Sequence, residues 1–351
     1  MSKTIAKIAA AAIGVTLVSM LFVGSFVGAL HDPAPHRLPV GVVAPPAAAR
    51  ELDSVFARHA PGAFAVTAYP SVTAARHAIL DRDADGVLLP GHGQQRLLIA
   101  GAAGRFVSQA VTAAFTGAAT ATGQHLTVTD IRPMPAADQD GVAPLYFFIG
   151  LSLPSAAFGI ALANILGKGS SGAAAGRLAA IRLAAGRLAA LAGYAILVAA
   201  AATWITDGVI GALPGAPAAL IAVGALTAFA IGSAFSAGWR LIGPPLTALL
   251  ALLIIPVGVA ASGGPFGPAF VTSWYAHLGS ALPAGATLSA VRDVVSFDGH
   301  ALAGPLLTLC LWAAIAAIVL AAPVPRLFMR RPRPAAQEGP AMGQPAGTVA
   351  T

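Results

Sequence analysis

Charge is what this chain has least of. Lys, Arg, Asp and Glu make up 9% of its 351 residues, against roughly 25% in a soluble globular domain. The hydrophobic fraction is 57% and the mean hydropathy +0.79, so a soluble globular protein is excluded. Cysteine is almost missing as well. Cys310 stands alone, and with no intrachain partner it can build neither a disulfide framework nor a cysteine metal cluster. There is no Gly-x-x-x-x-Gly-Lys-Ser/Thr run, so the chain has no phosphate-cradling loop with which to hydrolyse ATP. No metal site, cofactor or catalytic residue is implied, and an enzyme is the weakest reading.

What the chain has instead is long apolar runs. A spanning helix needs about 20 predominantly apolar residues to cross a hydrocarbon core about 30 Å thick. Six segments qualify: Ile8 to Leu30, Pro144 to Leu166, Leu188 to Thr206, Ala216 to Gly238, Leu241 to Ser262 and Ala301 to Ala322. None contains Asp, Glu, Lys, Arg or His within these limits. The first could instead be a secretory signal peptide, with Lys3 and Lys7 ahead of it, but its uninterrupted length exceeds the usual ~7–15 residues of such a segment. An uncleaved anchor is the favoured reading. The expected fold is therefore an α-helical polytopic membrane protein with six transmembrane helices. Its parts are an N-terminal helix (1–30), an inserted block (31–143), a five-helix domain (144–322) and a basic, Pro/Gly-rich tail (323–351) expected to be disordered.

Basic residues in short loops stay on the cytoplasmic side. Starting the chain inside collects Lys3, Lys7, Lys168, Arg177, Arg182, Arg187, Arg240, Arg326, Arg330, Arg331 and Arg333 in the cytoplasm, against one acid, Glu338. Both termini are then cytoplasmic, in a multi-pass protein of the cell membrane. The basic balance reports orientation and attraction to anionic lipid head groups, not nucleic-acid binding.

The block 31–143 is thereby placed outside. Prolines bracket it and charges become frequent. Leu38 to Ala44, Ala63 to Tyr69, Gly86 to Leu89, Arg96 to Ala100 and Leu126 to Ile131 read as strands. Ala47 to His59, Val72 to Arg82 and Arg105 to Thr122 read as helices. This alternation predicts a small extracytoplasmic α/β domain with a mixed sheet, inserted between helices one and two. Asp81, Asp83 and Asp85 alternate as calcium-loop acids do, but His92 stands where the closing bidentate acid belongs, so the run reads as a solvated turn.

The stretches LPVGVVA at 38–44 and FAVTAYPSVTAARHAILDRDADGVLLPG at 64–91 carry a family resemblance, together with Leu282-Pro283, Ala290-Val291-Arg292-Asp293 and Phe297-Asp298-Gly299. On these residues the chain resembles the permease subunits of type-2 class ATP-binding cassette (ABC) exporters and the related phage-infection-protein-like membrane proteins. The resemblance covers most of the chain, and its motifs are loose. It implies one span, an extracytoplasmic α/β domain and five further spans. It also implies a separate ATPase partner and a homodimer or a heterodimer with a related permease.

Two segments are candidate working parts. The cytoplasmic loop 167–187 is the only inner connection long enough to dock on an ATPase, through Arg177, Arg182 and Arg187. Spaced five apart, these arginines turn about 140° from one to the next and do not form one face. A coupling helix and a positive-inside tether remain equal readings. The outer segment 263–300 is too apolar for an ordinary loop and is expected to lie at the interface, with Trp274 and Tyr275 at its surface. In it Leu288, Val291 and Val295 define an apolar face, leaving Arg292 and Asp293 on the wet side, and this interfacial segment is a candidate exit path. The leading expectation is an exporter permease for an apolar or amphiphilic substrate. The alternatives are a membrane scaffold or cell-surface receptor, and a proton-driven transporter resembling half of a resistance-nodulation-division pump. The latter would need an intramembrane carboxylate, and the one nearby acid is Asp207 at a span edge.

Overall fold

A computed structural model describes residues 2–31, 33–91, 94–167 and 177–322. The tail 323–351 and most of the 167–177 connection, both named above, lie outside the described residues. This is a multi-pass helical membrane protein. Among the described residues six helices are long and apolar enough to cross a bilayer, by length and composition.

The chain opens with α1 (Ser2–Leu30) and then builds a compact α/β unit. The elements are β1 (Leu38–Val43), α2 (Pro46–His59), β2 (Phe64–Tyr69), α3 (Val72–Leu80), β3 (Gly86–Leu89), β4 (Gln94–Ile99), α4 (Arg105–Ala121) and β5 (His125–Asp130). The five strands form one mixed sheet in the order β2-β1-β3-β4-β5. β1 runs parallel to both β2 and β3, β3 and β4 are antiparallel, and β4 is parallel to β5. Local chemistry explains the helix starts. Pro46 opens α2 at a position whose N–H would be unpaired anyway, and the Ser71 hydroxyl caps α3 by accepting from Ala74 N at 3.1 Å. The core joins Leu38, Val40 and Val42 of β1, Leu97 and Leu98 of β4, Val111 and Phe115 of α4, and Phe56 of α2.

The remaining helices are α5 (Ala143–Gly167), α6 (Arg177–Thr203), α7 (Pro217–Leu241), α8 (Pro244–Leu252), α9 (Gly258–Ala261), α10 (Ser273–Ala281), α11 (Pro283–Ser296) and α12 (Ala303–Ala321). A π turn over Trp204–Val209 extends α6, and another over Leu253–Val257, containing Pro256, joins α8 to α9 as one span. α7 is the hub, with over half of its apolar window buried against α5, α6, α11 and α12. Its crossing with α5 is made backbone to backbone: a Cβ on Gly159 would overlap the carbonyl of Gly232. Both oxygens of Asp138 accept from the first amides of α5, Val142 N at 2.9 Å and Ala143 N at 3.0 Å, placing a negative charge at the positive end of that helix.

α6 departs from the expected limits at both ends. It begins at Arg177 rather than near Leu188, taking Arg182 and Arg187 into the helix, and its π turn takes in Asp207. The Ala-Leu-rich stretch between the arginines has strong helix propensity, so the span simply continues past the bilayer-length limit. From Arg177 onward the described part of the candidate coupling loop is the beginning of α6.

Candidate functional site

The α/β unit is fastened to the membrane helices chiefly at the C-terminal half of α11 and the turn after it, with a second contact at residues 266–270 ahead of α10. Arg82 follows α3 at its C-terminal end, where the chain turns back through Arg82 N to Ile79 O and Asp83 N to Ala78 O. This closure requires a left-handed residue, usually Gly, and Arg82 adopts it with φ 61°. From there its guanidinium donates to Asp293 Oδ1 at 2.7 Å and to Ser289 Oγ at 2.9 Å, and lies 5.6 Å from the centroid of the Phe297 ring. Asp298 takes the same left-handed position after α11, with φ 53°, and pairs with Arg132 from the other side of the junction. His300 Nδ1 meets Asp81 Oδ1 at 3.0 Å. Phe270 and Phe297 are buried in the same core as the sheet, and Phe106 and Phe266 pack with ring centroids 4.4 Å apart.

These contacts correct the expectation for Arg292 and Asp293. Neither is on a wet face: Asp293 is 0% and Arg292 7% exposed. Periodicity along α11 identified the face that packs on α5 and α7, but the other face is covered too, by the α/β unit, which sequence spacing could not register. Arg292 donates to Gly264 O at 3.0 Å. Burial and the neighbouring Arg82 charge pull its pKa down to about 10, against the opposing influence of Asp138 and Asp293, so it remains cationic at neutral pH. The Asp81 to Asp85 run is likewise no free turn, since Asp81 and Arg82 both reach across the junction. Asp85 donates its backbone N–H to Pro39 O at 2.8 Å, and burial pushes its carboxyl up to about 6, with Arg82 pulling the other way.

Beside this junction, between α10, α11 and α12, lies a cavity of about 330 Å³. One part of its wall is polar, with Arg82, Arg292 and Ser289, while Ala276, Ala286, Leu288 and Pro305 make up an apolar part. Its size falls within the ~300–1,000 Å³ of small-molecule sites. Among the described residues no group of three or more His, Cys, Asp or Glu is placed to hold a metal ion.

The aromatic pair separates. Trp274 is 70% exposed, whereas Tyr275 is buried and its hydroxyl shares a hydrogen bond with that of Ser25 in α1. Tyr275 thus holds α1 to the bundle, and Trp274 faces outward, as a ring at a membrane–water boundary does. The arginine series also separates. Arg182 is exposed and Arg187 is buried, so the two do not present a common docking face. Arg82, Arg132 and Ser289 carry the junction and were not singled out from sequence. The one signal for Arg82 was a charged residue where the end of a helix calls for glycine. No known protein-family model matches this chain, and no curated protein or solved structure is significantly similar to it.

Proposed function

We propose that this chain is the transmembrane permease subunit of an ABC-type exporter of the cell membrane, moving an apolar or amphiphilic substrate with energy from a separate ATPase. In this reading both termini are cytoplasmic, the α/β unit is extracytoplasmic, and the permease pairs with a second copy or a related subunit. The observation that carries it is the cavity of about 330 Å³ between α10, α11 and α12. An apolar wall with two guanidiniums at one side suits a molecule that has an apolar body and a polar head. The cavity adjoins the same α11 residues that hold the α/β unit, so occupancy and the placement of that unit can be linked. The concentration of basic residues at the far ends of the spans supports the orientation.

Cells expressing the chain with its ATPase should clear a fluorescent amphiphile. Ala276→Trp or Thr308→Trp, each of which fills the cavity, should lower that efflux at least tenfold at unchanged protein level. Unaltered efflux in both variants, or the failure of any ATPase to accompany the purified protein, rejects the proposal.

A further inference from the structure

At the end of the bundle away from the α/β unit, two arginines flank one packed cluster, and no ion pair among the described residues reaches either of them. Arg187 lies within α6 and is only 3% exposed. Its Nε is sealed from solvent and has no partner among the described residues, and no ion pair among them reaches its guanidinium. Arg240, in the last turn of α7, flanks the same packed cluster, since Leu191 lies one turn on from Arg187 and Ala237 one turn before Arg240. Arg240 is itself held in place by donating to the Leu320 and Ala322 carbonyls at the end of α12. Leu191, Ala237 and Leu320 are buried together in one apolar cluster, so both arginines sit at the rim of a single packed site formed by α6, α7 and α12. Two like charges brought together out of water repel and lose solvation. An arrangement of this kind is stable when a shared anion sits between them.

The chain offers almost no candidate. Of its 13 acids, those in the described residues belong to the α/β unit, to the junction, or to Asp207 at the opposite end of α6. Glu338 is the one acid that follows the last span. We infer that Arg187 and Arg240 form a site for the phosphate of an anionic phospholipid head group. A guanidinium carries five N–H donors, and Arg240 spends two of its nitrogens on carbonyls, so the pair keeps donors enough to fork onto several phosphate oxygens. Arg240 and Leu320 lie in the terminal turns of spans, at the depth of lipid head groups. Basic pockets between spanning helices are suited to such lipids. This site is independent of the export reading.

The test is native mass spectrometry of the full chain extracted from vesicles of equal phosphatidylglycerol and phosphatidylcholine. Wild-type protein should retain phosphatidylglycerol at least tenfold over phosphatidylcholine. Arg187→Gln and Arg240→Gln should each erase most of that preference, and Arg187→Lys, which keeps the charge but not the fork, should fall between and serve if the Gln variant does not fold. Arg182→Gln and Glu338→Gln should leave the preference intact. Equal retention of both lipids overturns the inference, as does a preference indifferent to Arg187→Gln. An equal loss in Arg182→Gln would mean diffuse surface attraction. Displacement of the lipid by millimolar inorganic phosphate would make a free anion the ligand.

Discussion

Two residues that occupy backbone positions favoured by glycine do the work of joining the two parts of this protein. Arg82 and Asp298 both adopt positive φ at helix C-termini, which costs a non-glycine residue of the order of 1 kcal/mol, and both carry ion pairs across the junction. Arg82→Gly should therefore relax the backbone yet still destabilise, because Asp293 is left buried without its cation. Asp293→Ala leaves the Arg82 guanidinium without its carboxylate in turn, and a loss of about 3 kcal/mol is expected, measured as the shift in unfolding midpoint of the detergent-solubilised protein. Asp85 gives a pH dependence of unusual sign. Its carboxyl rises to about 6 from an unfolded value near 3.8, so the folded state binds its proton more tightly than the unfolded one. The burial penalty on the ionised form is complete above pH 6 and fades as the pH falls toward 4. Asp85→Asn should raise the melting temperature at pH 7.5, and the gap between variant and wild type should shrink to about a third by pH 4.5. A gap that is constant across this range would remove burial as the cause. None of these residues could be ranked from the sequence, because their partners lie some two hundred positions away, as Arg82 and Asp293 do.

At the scale of elements the sequence was far more informative. Alternating apolar stretches bounded by proline and glycine located all five strands of the sheet to within two residues at either end, since strand signals are local. The apolar runs likewise marked the six long helices. Strand order and the close approach of α5 to α7 depend on contacts between distant segments, and single-sequence periodicity carries no such information. That approach yields a sharp prediction. Gly159→Val forces bulk against the Gly232 backbone, and such overpacking costs about 1–3 kcal/mol or more where the obstacle is backbone and cannot turn aside. Gly150→Ala, in the same helix with nothing within 4 Å, should be nearly silent. Thermal unfolding of the two variants side by side distinguishes a packing constraint from a general intolerance of substitution in α5.

For the whole molecule, the proposed orientation makes one decisive expectation. Gln94 is an exposed residue of β4, and Cys310 is the only native thiol. In a Cys310→Ser background, Gln94→Cys should react with a membrane-impermeant maleimide on intact cells, and protection until lysis would invert the topology. The three cross-junction pairs, from Asp81, Arg82 and Arg132, all end within residues 293–300, between the last two spans. The α/β unit therefore rests on two seats: these ion pairs at 293–300, and the stretch 266–270, where Phe266 and Phe270 pack on its core and His36 N donates to Ala269 O at 2.7 Å. Two separated seats resist a rotation that either alone would allow, so the sheet is clamped against the bundle instead of hinged on it.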